Sequence, residues 1–229
     1  MQKYVHRTAV SSKSKMRYFI RGLGLISHSM LFLSLLPFLI KKIEMGKEKK
    51  IFVFFIVFTT LSEIIADITT YFRINNIGLA HIYFSAEFFF FFFILYQWEN
   101  RFKKYWLISG ALIGSYALID NFIITPFSQF AIYSASLQKL FLFLFSAHLI
   151  IDITTKNFIP FYKDDRFYIA AGIFVYSSIT ALMYLLFNFF SVMLPFDIGT
   201  LSVICMNFFF IYSMVMYYRQ RKMLAEALK

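Results

Sequence analysis

Long apolar runs separated by short polar loops dominate this chain. The stretch SAEFFFFFFILYQWEN, residues 85–100, is the extreme case, because six consecutive phenylalanines follow Glu87 directly. A helix points successive residues around its whole circumference, so such a run leaves no face for water. Seven runs of this kind occupy approximately 18–40, 51–72, 79–98, 105–124, 129–154, 167–190 and 197–218. At about 1.5 Å per residue, each is long enough to cross roughly 30 Å of hydrocarbon. The pattern predicts an all-α, polytopic transmembrane bundle of about seven helices. It divides into a basic N-terminal tail (1–17), a transmembrane domain (18–218) and a basic cytoplasmic tail (219–229). Short connections predict antiparallel neighbours.

Composition points the same way. The chain is 60% hydrophobic and 15% charged, with a mean hydropathy of +0.67 and 33 Phe. That is too apolar for one soluble core of 229 residues, which must still cover itself with polar surface. The net charge of +11 suggests nucleic acid at first, but the basic residues lie between the apolar runs, as membrane-flanking Lys and Arg do. Five lysines fall in 41–50. Arg101, Lys103 and Lys104 follow, then Lys156, Lys163 and Arg166, and finally Arg219, Arg221, Lys222 and Lys229. The opposite loops hold only Arg73. This asymmetry predicts a bacterial inner-membrane protein with its N-terminus outside and its C-terminus in the cytoplasm. Six basic residues in the N-terminal segment, Lys3 to Arg21, oppose that direction, so the first run either spans or lies at the interface. Trp98, Trp106, Tyr96 and Tyr105 bracket one basic loop as an aromatic belt would. The single cysteine, Cys205, rules out an internal disulfide framework, and no signal-peptide cleavage pattern follows the first run.

Charged groups inside the spans are costly and need a reason. Glu63 and Asp67 stand four apart on one face of the second run, Glu87 lies two turns into the third, and Asp120 and Asn121 end the fourth. Gln138 and Lys139 sit two to three turns down the fifth, and Asp197 opens the seventh. All fall in the outer half of the predicted bundle. One reading is a water-accessible acidic pocket, open to the outside, with Lys139 paired to one or two acids. The other is structural glue between helices. Several acids against one lysine cannot all ionise in low dielectric, so a proton, a cation or an amine-bearing ligand would complete the balance. His148 and Asp152, four apart near the cytoplasmic boundary, form a possible proton relay or an interfacial pair.

The motifs of known chemistries do not occur. No HExxH, Walker loop, GxSxG or GxGxxG is present, and His6, His28, His81 and His148 are scattered, so no metal, cofactor or enzymatic activity is implied. His81 stands where it could join the pocket. Lys139 lies on the fifth run and not the seventh, which excludes the microbial-rhodopsin pattern. Gly110 and Gly114 form a GxxxG spacing that allows close helix approach. IIADITT (64–70) and LIIDITT (149–155) echo each other three helices apart, as an inverted repeat would.

Three stretches carry a resemblance: NNIGLAHIYFSAEFFF (75–90), DNFIITPFSQFAIYSASLQKLFLF (120–143) and RFYIAAGIFVYSSITALMYLLF (166–187). Together they resemble an uncharacterised family of seven-helix membrane proteins of Bacteroidetes, some linked to sensor kinases. The match rests on Asn75, Asn76, His81, Ile82, Tyr83 and Glu87, and on Tyr133 to Leu137. Where that family often has a glutamate after the leucine, this chain has Gln138 and Lys139. The resemblance implies a fold and a signalling context.

The first expectation is therefore a receptor-like sensor. It would bind a cation, proton or small ligand through Glu63, Asp67, Glu87, Asp120, Gln138 and Lys139, and signal to a separate cytoplasmic or membrane partner. The second is a proton- or cation-coupled transporter, with a path continuing from Glu87 to His148 and Asp152. The third is a non-catalytic subunit of a membrane complex. The bilayer itself is the one partner common to all three, and none involves nucleic acid.

Overall fold

The computed structural model describes residues 46–156, 160–190 and 196–227, with isolated positions between 22 and 35. The first apolar run, 18–40, and the N-terminal tail fall almost wholly outside the described residues. Six helices among the described residues are long and apolar enough to cross a membrane, which makes this a multi-pass bundle. They are α1 (Lys47–Tyr71), α2 (Ile77–Trp98), α3 (Lys103–Ile119), α4 (Ile132–Lys156), α5 (Asp165–Phe190) and α6 (Phe196–Ala227). One π-helical turn, Asp120–Ile124, closes α3, and a 3-10 turn, Phe161–Lys163, precedes α5.

The helix ends depart from the apolar runs for local reasons. α1 starts before its run because Lys49, counted with the loop in the sequence, is 1% exposed and turned inward. α4 starts at Ile132, later than 129, because the chain after Pro126 is still turning: the Gln129 N–H donates to the Pro126 carbonyl. α6 continues through most of the segment expected to be a separate tail, as far as Ala227. α1 closes in a Schellman arrangement. The Ile74 N–H donates to the Thr69 carbonyl and the Arg73 N–H to that of Thr70, which places Arg73 in the left-handed region at φ 56°.

Consecutive helices run antiparallel, so the molecule has two ends. One carries the turns at Asn75 and at Pro126, and we call it the asparagine end. The other carries Arg101, Lys103, Lys163 and Arg166 and is the basic end. α4 is central, packing on α2, α3 and α5, while α5 packs on both α4 and α6. Phe52 against Phe210, with centroids 4.8 Å apart, joins α1 to α6.

The six-phenylalanine run explains itself in this arrangement. Phe88, Phe91 and Phe92 are buried against Phe55, Phe141, Phe145 and Phe210, whereas Phe93 is exposed on the apolar surface. Glycines make room for the rings. A Cβ on Gly110 would fall 2.3 Å from the Phe92 ring, and one on Gly114 would fall 2.9 Å from Phe89. The GxxxG spacing thus admits aromatic side chains from α2.

The repeated ITT ends have a local role. Thr69 and Thr70 donate back to Ile65 and Ala66, and Thr154 and Thr155 donate back to Ile150 and Ile151. Each copy satisfies its threonine hydroxyls on carbonyls one turn back in its own helix, α1 at the asparagine end and α4 at the basic end.

Candidate functional site

Glu87 on α2 and Lys139 on α4 meet as a direct ion pair inside the bundle. Their side chains are 0% and 3% exposed. The Lys139 ammonium also donates to the Tyr176 hydroxyl of α5 at 3.2 Å, and lies 4.4 Å from that ring's centroid. The second carboxylate oxygen of Glu87 accepts from Tyr83 at 3.5 Å, one turn earlier on the same helix. Thr59 and Glu63 of α1 stand within electrostatic reach of the Tyr83 hydroxyl, and Tyr184 of α5 within reach of Glu87. Two charges removed from water are tolerable only when paired and hydrogen-bonded on both sides, and both conditions hold here.

The other expected site residues do not all converge on this pair. Glu63 is half-buried and lies within electrostatic reach of Tyr83. The side chains of Asp67 and Asp197 lie outside the described part of the structure. Asp120 belongs to a separate cluster at the asparagine end, accepting from the Thr125 hydroxyl at 2.8 Å and from the Ser134 N–H at 3.3 Å. Its neighbour Asn121 donates to Ser85 at 2.8 Å and bonds the His81 ring, whose other nitrogen lies 2.8 Å from the Gln129 carbonyl. His81 is thus 3% exposed and tied into this cluster, away from Glu87. Gln138 is buried beside Lys139 without touching Glu87.

The sequence predicts a pocket open to water, yet the pair itself is closed. Phe84 covers Lys139, its centroid 5.7 Å from the ammonium, and packs on Phe130 at 5.2 Å and Tyr184 at 6.5 Å. Above this aromatic layer, at the asparagine end, lies a cavity of about 340 Å³ lined by Thr125, Gln129, Phe130, Ile132, Tyr133 and Phe187.

Toward the basic end the interior between α2 and α4 is mainly aromatic and aliphatic. Phe88, Phe91, Phe92, Leu142 and Phe145 fill the space between the pair and His148, and Ser146 donates to its own helix. His148, expected to continue a path from Glu87, has its own acidic neighbour. It lies 2.8 Å from the Glu99 carboxylate, which also accepts the Arg101 and Phe102 N–H groups at 2.7 Å each and so closes the turn that leads into α3. Trp106, expected in a lipid-facing belt, stacks inward on Phe145 at 4.2 Å. A second buried ion pair, Lys49 with Asp165, ties α1 to α5, and Lys49 also donates to Ser213 of α6. The Gly46 N–H donates to the Tyr217 hydroxyl at 3.0 Å.

Sequence reasoning missed Tyr83 and Tyr176 as partners, and Glu99, Lys49 and Asp165 altogether. The i, i+4 spacing of Tyr83 and Glu87 was the available signal for the first. Nothing in the spacing of Lys49 distinguishes it from the loop lysines around it. Among the described residues, no three His, Cys, Asp or Glu side chains converge to hold a metal ion. Comparison with protein-family models, curated proteins and solved structures finds no match.

Proposed function

We propose that this protein is a receptor-like sensor of the bacterial inner membrane, with the buried Glu87–Lys139 pair as its switch. The observation that carries this reading is the closed pair itself, fully buried and held by tyrosines from two helices. The Lys139 ammonium already supplies the cation that an isolated carboxylate would demand. A proton or cation arriving at Glu87 must therefore displace it, and an interior that packs around discrete arrangements answers with a second arrangement.

α5 links that event to the basic end. It carries Tyr176 at the switch and Asp165 at the ion pair with Lys49, which also involves Ser213 of α6. Repositioning of α5 would be felt where α6 projects toward Ala227. The excess of Lys and Arg supports a cytoplasmic location for this end, where a separate signalling partner would read the change. The apolar block between Glu87 and His148 favours a sensor over a coupled carrier, which needs a continuous polar route.

The test is spin-label distance measurement in nanodiscs. Labels at Tyr162 and Met223, with Cys205 replaced by serine, report the separation of α5 and α6 at the basic end. Acidification should move the wild-type distribution toward that of Glu87→Gln. Identical distributions for wild type and Glu87→Gln at every pH would overturn the proposal.

A further inference from the structure

Two buried polar atoms beside the ion pair have no hydrogen-bond partner among the described residues: Gln138 Nε2 and Ser177 Oγ. Gln138 is 2% exposed and Ser177 0%. Each follows or precedes a member of the switch, Gln138 next to Lys139 on α4 and Ser177 next to Tyr176 on α5. Because Lys139 meets Tyr176 and Phe143 stacks on Phe174 at 5.0 Å, the antiparallel register sets Gln138 and Ser177 at one level.

Ser177 is the more informative of the two. A serine in a membrane helix can always donate to a carbonyl one turn back, and its neighbours do. Thr59, Thr60, Ser136, Ser146, Ser178, Thr180 and Ser202 all bond their own helices. Ser177 does not. An orphan hydroxyl or amide in an apolar interior costs roughly 1–3 kcal/mol on mutational scales. Two orphans at one level, with a free alternative declined, call for a shared small polar occupant.

The surroundings show where such an occupant leads. Ser134 stands one turn above Gln138 on the same face of α4, and joins the cluster at the asparagine end through Asn121 and the Asp120 carboxylate. Toward the basic end Phe88, Phe91, Phe92, Leu142 and Phe145 line α2 and α4, and the buried polar groups beyond them include Ser146, Asn207, Ser213 and the Lys49–Asp165 pair. The titratable groups around Glu87 are Tyr83 on its own helix, Glu63 from α1, Lys139 from α4, and Tyr176 and Tyr184 from α5. α3 meets this part of α2 through Gly110 and Gly114, which receive phenylalanine rings.

We infer that Gln138 and Ser177 bind internal water that connects the Asp120–Asn121–Ser134 cluster to the Lys139–Glu87 pair. Protons reach Glu87 along this α4–α5 seam, behind the Phe84–Phe130–Tyr184 layer, and go no further. The inference rests on the switch proposed above and specifies how protons gain access to it.

The full chain in nanodiscs is subjected to a rapid pH drop while infrared absorption follows the protonated Glu87 carboxyl band, assigned by its absence in Glu87→Gln. Gln138→Met with Ser177→Ala should slow the band's appearance about tenfold or more, equivalent to ~1.4 kcal/mol of barrier, and leave its final amplitude unchanged. A wild-type rate in the double variant overturns the water route and leaves the switch standing. No band in the wild type overturns both. A crystal structure showing a water bonded to both atoms supports the route independently. One showing both side chains bonded to backbone carbonyls, with no water between, sinks it.

Discussion

Tyr176 holds Lys139 twice, accepting a hydrogen bond from its ammonium at 3.2 Å while presenting its ring 4.4 Å from the same nitrogen. Removing only the hydroxyl separates these roles. Tyr176→Phe keeps the ring and should cost about 1.5–3 kcal/mol in unfolding free energy, the worth of one hydrogen bond to a charged group. Tyr176→Leu should cost more. Equal losses for the two would show that the ring contributes nothing, and reversible unfolding in mixed micelles measures the difference.

The ion pair itself gives a sharper contrast. Lys139→Met leaves the Glu87 carboxylate buried without its partner and should cost about 3–5 kcal/mol at neutral pH. Adding Glu87→Leu to Lys139→Met should recover most of that loss, because an apolar pair of similar volume has no charge to desolvate. A double-mutant cycle reads this directly. Strict additivity of the two losses would mean that the groups do not interact.

Gly110 supports a packing prediction. A methyl group there meets the Phe92 ring at 2.3 Å, so the ring must move. Gly110→Ala should destabilise by about 1–3 kcal/mol. Phe92→Leu placed on top of it should restore part of the loss, a rescue expected only if the clash is the cause.

Arg73 is strained in the opposite sense. Its φ of 56° suits glycine, which occupies this last-turn position in most helices that end this way. Arg73→Gly should raise stability by about 1 kcal/mol. A drop would show that the arginine side chain makes a compensating contact.

Glu99 accepts two backbone N–H groups in the turn just before α3 and faces His148. Glu99→Ala should cost about 2 kcal/mol through the lost charged hydrogen bonds. Amide hydrogen exchange should rise first in the opening turn of α3. Unchanged protection there would show that the loop holds the turn without the carboxylate.

The membrane spans were legible because apolar length is a one-dimensional property. The six described helices overlay their predicted runs. Boundaries were less so, since inward-turned Lys49 and the helical continuation of α6 depend on neighbours in space. Glu87 and Lys139 could be singled out because charge in an apolar run is conspicuous, and shared depth brought them to one level. Depth could not say which acids face each other. Asp120 sits at the asparagine end, yet the π-turn aims it at Thr125 and Ser134. Tyr83 and Tyr176 were hidden among 15 tyrosines whose ordinary role is to sit at interfaces.

The mutual neutralisation of Glu87 and Lys139 has an electrical consequence. A carboxylate and an ammonium in contact carry no net charge, so the transmembrane voltage exerts almost no force on them. Once a proton neutralises the carboxylate, an unbalanced ammonium stands inside the field. One elementary charge crossing the full bilayer is worth about 2.3 kcal/mol per 100 mV, and Lys139 would feel a fraction of this. Under the proposed switch, membrane voltage would then bias the protonated form and leave the paired one indifferent.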